Sequence, residues 1–219
     1  MNTPESREGN LFRYAVYVIG YLLVVGVVKL VTCKTLNIWY LILFALVAAM
    51  ILLFYIYRFN REQRFFERLF SLPWLGDYGL TVGLTLGILA SKILVAYLQI
   101  NKRIGLYGFQ INYLKHESNS LFWFMIVTQG IILPILQEFL STGFLFNYAF
   151  RKNTLATGIV GIICSGLIFA VLNFQFTPTL FVINALYGAL FAWAYLYSQT
   201  LWMPMYLAVI AGLLTVIMI

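Results

Sequence analysis

The sequence predicts an all-α, polytopic transmembrane helix bundle: about seven spanning helices and a short amphipathic helix at the membrane surface. Three observations carry this. Of the 219 residues, 63% are hydrophobic and only 10% are charged, whereas soluble domains lie near 45–50% apolar and about 25% charged. The apolar residues fall in seven runs, most of them near the roughly 20 residues a spanning helix needs. The polar residues between the runs form no stretch long enough for a second folded unit, so one membrane domain over 11–219 follows a polar tail at 1–10.

The runs, in order, are Leu11–Val31, Leu36–Tyr57, Gly79–Ile100, Ser120–Asn147, Leu155–Phe174, Thr179–Tyr197 and Trp202–Ile219. The first follows a polar, mixed-charge Met1–Asn10 and is too long for the apolar core of a signal peptide, so it reads as a retained helix. The fourth is overlong and holds Pro134, which predicts a kink or tilt there. The last runs to Ile219, where the given sequence stops inside apolar residues, which leaves its completeness open.

Between the second and third runs, Arg58–Leu72 reads RFNREQRFFERLFSL. Arg58, Arg61, Arg64 and Arg68 recur at helical spacing, with Phe65, Phe66, Leu69 and Phe70 on other faces. This pattern predicts an amphipathic helix in the headgroup region, the alternative being a charged loop. With seven spans, one side of the membrane holds Arg7, Arg13, Arg58, Arg61, Arg64, Arg68, Arg151 and Lys152. The other holds Lys29, Lys34, Lys102, Arg103 and Lys115. That bias puts the N-terminus in the cytoplasm. Trp39, Trp74, Trp123 and Trp202 lie near run ends, where an amphipathic indole is stable.

The net charge of +7 is spread over short loops. Nucleic-acid binding needs basic residues gathered on a soluble face, so anionic lipid is the better partner for this charge and no nucleic acid is expected. Cys33 and Cys164 sit in separate apolar segments and His116 is the one histidine. A zinc site draws on clustered Cys, His and carboxylate ligands. No metal or cofactor is implied, and the cysteines read as small packing residues.

Two small-residue patterns predict close helix packing in lipid: Gly79, Gly83 and Gly87 on the third run, and Ala185, Gly188, Ala189 and Ala192 on the sixth. The polar residues inside the runs are few: Lys92, Gln137, Glu138, Asn173, Gln175 and Asn184. Glu138, in LPILQEFLSTGFLF, needs a partner or a proton. It can pair with Lys92 or bridge helices by hydrogen bonds, while Lys92 can instead snorkel to an interface.

The order of these residues carries a resemblance. The chain reads PILQEFLSTGF, then SGLIFAVLNF, then TLWMPMYLAVIAG, over Pro134 to Gly212. This resembles the CPBP (CAAX protease and bacteriocin-processing, or Abi) family of intramembrane proteases, whose pattern is EExxxRG, FxxxH and a final HxxxN. The CPBP-like core is placed at about 120–219. The resemblance puts Gln137 where the family has its first Glu, keeps the second as Glu138, and replaces Arg by Thr142. Asn173 and Ala208 stand at the two histidines and Gly212 at the last Asn. Pro134, Gly143, Phe169, Leu201, Trp202 and Pro204 match the frame.

In the family, the first Glu and the histidines are thought to activate water or hold a metal. A general base must change protonation near working pH, and Gln137 cannot; an alanine ligates nothing. The resemblance therefore implies a catalytically inactive relative, without cofactor, in a bacterial cytoplasmic membrane. Such relatives bind a membrane-anchored protein, a cell-wall (peptidoglycan) hydrolase for example, and position or activate it. The alternatives are an active protease using Glu138, a bacteriocin self-immunity protein, or a small transporter with Lys92 and Glu138 on its path. The sequence leaves the oligomeric state open.

Overall fold

A computed structural model describes residues 7–32, 37–62, 78–150 and 154–218. Eight helices carry these residues. They are α1 (Arg7–Thr32), α2 (Ile38–Glu62), α3 (Tyr78–Ile100), α4 (Gly108–Lys115), α5 (Asn119–Ala149), α6 (Leu155–Leu172), α7 (Pro178–Ser198) and α8 (Trp202–Ile217). Six of them are long and apolar enough to cross a membrane, and the shorter apolar α8 is the seventh candidate. No strand occurs among the described residues. The chain is an all-α, multi-pass membrane bundle. Its outer surface is Leu, Ile, Val, Phe and Trp, with Trp39 72% and Trp123 60% exposed, as a surface facing acyl chains requires.

Local chemistry sets the ends. The Ser118 hydroxyl accepts from the Leu121 N–H at the start of α5, and Thr154 accepts from Thr157 at the start of α6. Pro178 occupies the first turn of α7, and Gln199 closes it in the left-handed conformation. Helix α4 was not legible in the sequence. Its capping Tyr107 N–H donates to the Gln110 side chain, and Gln110 Nε2 reaches the Thr215 carbonyl at the end of α8. The predicted surface helix at Arg58–Leu72 is revised at its start: Arg58 and Arg61 belong to the end of α2, and positions 63–72 lie outside the described residues.

The predicted kink in the fourth run takes a particular form. Helix α5 widens into π-helix at Ile126–Ile132, ahead of Pro134, and again at Phe139–Phe144. Proline removes one N–H and crowds the carbonyl four residues back. A π segment shifts the hydrogen-bond register so that this misfit is absorbed, and the Leu133 N–H donates to Thr128 O five residues away. The α-helical turn Leu133–Glu138 is framed by the two π segments.

Small residues set the closest helix approach, on one of the two predicted faces. A Cβ on Gly166 would come within 2.5 Å of the Ala185 carbonyl, and one on Gly188 within 2.4 Å of Phe169 Cβ. Helices α6 and α7 therefore meet backbone to backbone across the predicted alanine and glycine face. The α3 face is different. Gly83 and Gly87 are exposed and meet nothing within 4 Å among the described residues. Their spacing suits packing, but α3 turns its other side, with Ile88, toward α7 and α8.

At the end of the bundle where α1 begins and α2 ends, the buried Glu62 carboxylate is fully engaged. Arg13 and Arg58 pair with Oε1, and Tyr17 and Tyr148 donate to Oε2. Tyr17 stacks on Phe144 at 4.1 Å and its backbone carbonyl accepts from Tyr55. Helices α1, α2 and α5 are tied at one point.

Candidate functional site

The π segments of α5 present Gln137 and Glu138 to opposite surroundings. Gln137 is buried and its Nε2 donates to Tyr21 Oη at 2.8 Å; Tyr21 Oη donates in turn to the Leu172 carbonyl at 2.8 Å. Helix α1 and the end of α6 thus hold this amide in place. Glu138 lies on the other side of the helix, completely buried. Its Oε2 accepts from Thr142 Oγ1 at 2.9 Å, Thr142 neighbours Ser165 Oγ at 3.4 Å, and Oε1 has no hydrogen-bond partner among the described residues. The possible Lys92–Glu138 pair does not form. Lys92 lies instead over the Tyr187 ring at 4.3 Å and the Tyr107 ring at 5.8 Å. Nor does it snorkel to an interface: it is buried in the bundle.

Gln137 faces an internal cavity with two lobes that share Tyr107, Phe109, Gln129, Leu133, Gln137 and Asn173. The smaller lobe, about 50 Å³, is bounded by Lys92, Asn184, Tyr187, Ala208 and Gly212. The larger, about 380 Å³, extends between α1 and α4, past Val25, Val28 and Met125, to Lys29 and Gln175. Four of the six sequence-predicted positions converge here: Gln137, Asn173, Ala208 and Gly212. Glu138 and Thr142 do not; they form their own closed cluster with Ser165 and Ser141.

Each converging position has a physical character. Asn173 spends its Nδ2 on the Phe169 carbonyl of its own helix, 2.9 Å away. Ala208 is a buried wall residue. Gly212 is closed off: a Cβ there would sit 2.8 Å from the Gln129 carbonyl, 2.9 Å from the Gly130 carbonyl and 2.9 Å from Pro134 Cγ. Helices α5 and α8 touch at this point, so any side chain demands that they separate. Gly143 is constrained likewise, with Phe59 at 2.9 Å and Leu201 at 3.3 Å from a built Cβ.

Residues 119–214 match the family model for Rce1-like type II CAAX prenyl endopeptidases. The matched stretch is similar to that family, which is consistent with a CPBP-type membrane protein. No curated protein and no solved structure matches the chain. The CPBP match contains the whole Pro134–Gly212 motif series, and α5 to α8 supply its cavity wall, joined by Lys92 of α3 and by Tyr107.

A metal in the CPBP cavity would need ligands. Its lining holds amides, tyrosines, threonines and the two lysines Lys92 and Lys29, with no carboxylate, imidazole or thiol among the described residues, and no three such groups gather anywhere among them. These residues do not fit a metal ion. His116 is exposed at the end of α4, away from the cavity.

Sequence reasoning missed Tyr21, Tyr107 and Gln129 as cavity residues. Tyr14, Tyr17 and Tyr21 did carry a signal. Their spacing places them near one face of α1, and their hydroxyls reach the Leu140 carbonyl, Glu62 and the Leu172 carbonyl. Gln129 carried one too, as an amide inside the fourth apolar run, whereas Tyr107 offered none because its place depends on how α4 folds against the bundle.

Proposed function

We propose that this CPBP-type protein is catalytically inert and acts by binding. Its partner is another membrane protein, of which a membrane-anchored peptidoglycan hydrolase is the chosen example, and it positions or activates that partner in a bacterial cytoplasmic membrane. One observation carries the reading. The motif positions that share the cavity are Gln137, Asn173, Ala208 and Gly212. None of them exchanges a proton near neutral pH, and Gly212 has no room for a side chain. The remaining carboxylate, Glu138, faces away from the cavity into a hydroxyl cluster, which argues against the active-protease alternative.

The means of binding lie on the outside. The exposed Gly83 and Gly87 of α3 leave a shallow groove along a lipid-facing helix, and small residues at this spacing let a second transmembrane helix approach by van der Waals fit. With the N-terminus in the cytoplasm, the cavity end that carries Lys29 and Gln175 faces outward, the side on which a wall hydrolase works.

The test is affinity purification of the full chain from native membranes in mild detergent. A wall hydrolase is expected to co-purify, and Gly83→Leu with Gly87→Leu is expected to release it while the bundle stays folded. Absence of any specific membrane partner sinks the proposal. So does turnover of a prenylated or leader peptide in liposomes that stops in Glu138→Gln.

A further inference from the structure

The smaller lobe of the cavity is lined by Lys92, which makes no ion pair among the described residues. Lys92 is buried in α3, and its ammonium lies 4.3 Å from the Tyr187 ring centroid and 5.8 Å from that of Tyr107. The acidic groups nearest in type are committed elsewhere: Glu62 to Arg13 and Arg58, Glu138 to Thr142. Ring faces offset part of the lost hydration, but an ammonium inside a membrane domain ordinarily has an anion or several acceptors. Around it, Asn184 Nδ2 and Tyr107 Oη are buried without hydrogen-bond partners among the described residues. The Tyr187 hydroxyl is held at 2.7 Å from Ser91 Oγ, which keeps the ring under the ammonium.

Two unpartnered buried donors, Asn184 Nδ2 and Tyr107 Oη, and the Lys92 ammonium thus line one lobe of about 50 Å³, room for a few water-sized groups. They call for a small acceptor carrying one negative charge. The adjoining lobe, about 380 Å³, shares Leu133, Gln137 and Asn173 with the first and has an apolar stretch of Val25, Val28, Met125 and Leu172, with Lys29 and Gln175 also on its wall.

We infer that the cavity binds a carboxylate-terminated apolar chain, with its carboxylate at Lys92, Asn184 and Tyr107 and its apolar body in the larger lobe. A single ammonium in a small lobe matches a monoanion better than a phosphate. Two sources share this chemistry: a fatty acid, and the free C-terminus of an apolar peptide. Binding here does not depend on the proposed scaffold role, because Gly83 and Gly87 lie on the exposed face of α3 and Lys92 on its buried side.

The full chain in lipid nanodiscs is titrated with four probes and binding is read by native mass spectrometry. The probes are dodecanoate, dodecanol, a short apolar peptide with a free C-terminal carboxylate, and the same peptide amidated. At least one acid is expected to bind, and its neutral counterpart to bind about tenfold more weakly. Lys92→Met is expected to weaken the acid by about tenfold or more and Lys92→Arg to restore part of it. Dodecanoate alone binding assigns the lipid source; the peptide acid alone assigns the protein source. Failure of both acids to bind overturns the inference. Equal binding of acid and neutral probes, or unchanged binding in a folded Lys92→Met, also overturns it. The comparison of acid with neutral probe needs no variant, so a misfolded Lys92→Met leaves the inference testable. Co-purification is scored separately, so loss of the partner and loss of the acid site are told apart.

Discussion

Two buried carboxylates, Glu62 and Glu138, sit in very different company. Glu62 is 1% exposed and has every acceptor in use: two guanidinium groups on one oxygen, two tyrosine hydroxyls on the other. Glu138 is fully buried, takes one hydroxyl and leaves Oε1 unpartnered. A saturated network rigidifies and specifies a fold, while an unsaturated buried group is a strain the rest of the structure must carry. The sequence had singled out Glu138 as the informative residue; the structure makes Glu62 the structural anchor and Glu138 a carboxylate at a motif position that no longer meets the cavity.

This contrast can be broken by mutation. The largest effect is expected from removing both cations of the anchor. Arg13→Met with Arg58→Met leaves the Glu62 carboxylate buried with only tyrosine donors, and should cost about 3–5 kcal/mol. Unfolding by SDS titration in mixed micelles measures it; a cost under about 1 kcal/mol would make the anchor an incidental contact. Next is Gly212→Asn, the single change that writes the family residue back. It forces α5 and α8 apart and should destabilise by about 1–3 kcal/mol without restoring proteolysis. A fully stable Gly212→Asn would show that the closed position can open.

Smaller again is Thr142→Val, which removes the only donor to Glu138 among the described residues and should cost about 1–2 kcal/mol. If Glu138→Met in the same background recovers the loss, the carboxylate is confirmed as a burden and not a working group. Lys92→Met is expected to change stability least, from neutral to about 1 kcal/mol stabilising, because it removes a buried charge whose cost the ring contacts only partly offset. Large destabilisation there would mean that the ring contacts hold α3 in place.

The seven apolar runs were legible because bilayer thickness fixes the length of a spanning helix and oil excludes charge; the segment boundaries of α6, α7 and α8 moved by only a few residues. The motif order was legible too, since Phe169 and Pro204 keep their places in the chain. What the chain alone could not assign was direction. Gln137 and Glu138 are neighbours, and which one enters the cavity depends on the π-helical register around Pro134. The glycines of α3 and of α6–α7 look alike as text; only packing decides that Gly188 is buried against Phe169 while Gly83 faces outward.

The sequence by itself determined that this is a multi-pass helical membrane protein with the frame of a CPBP domain. Hydropathy and residue order are properties of the chain and survive any arrangement of the helices. Only the tertiary structure decided that Gln137, Asn173, Ala208 and Gly212 share a cavity, that Lys92 stands in it against the Tyr187 ring, and that Glu138 does not line it. Those facts depend on helix rotation and on contacts between residues far apart in the chain. A helix turns by about 100° per residue, so two adjacent side chains can look into different environments.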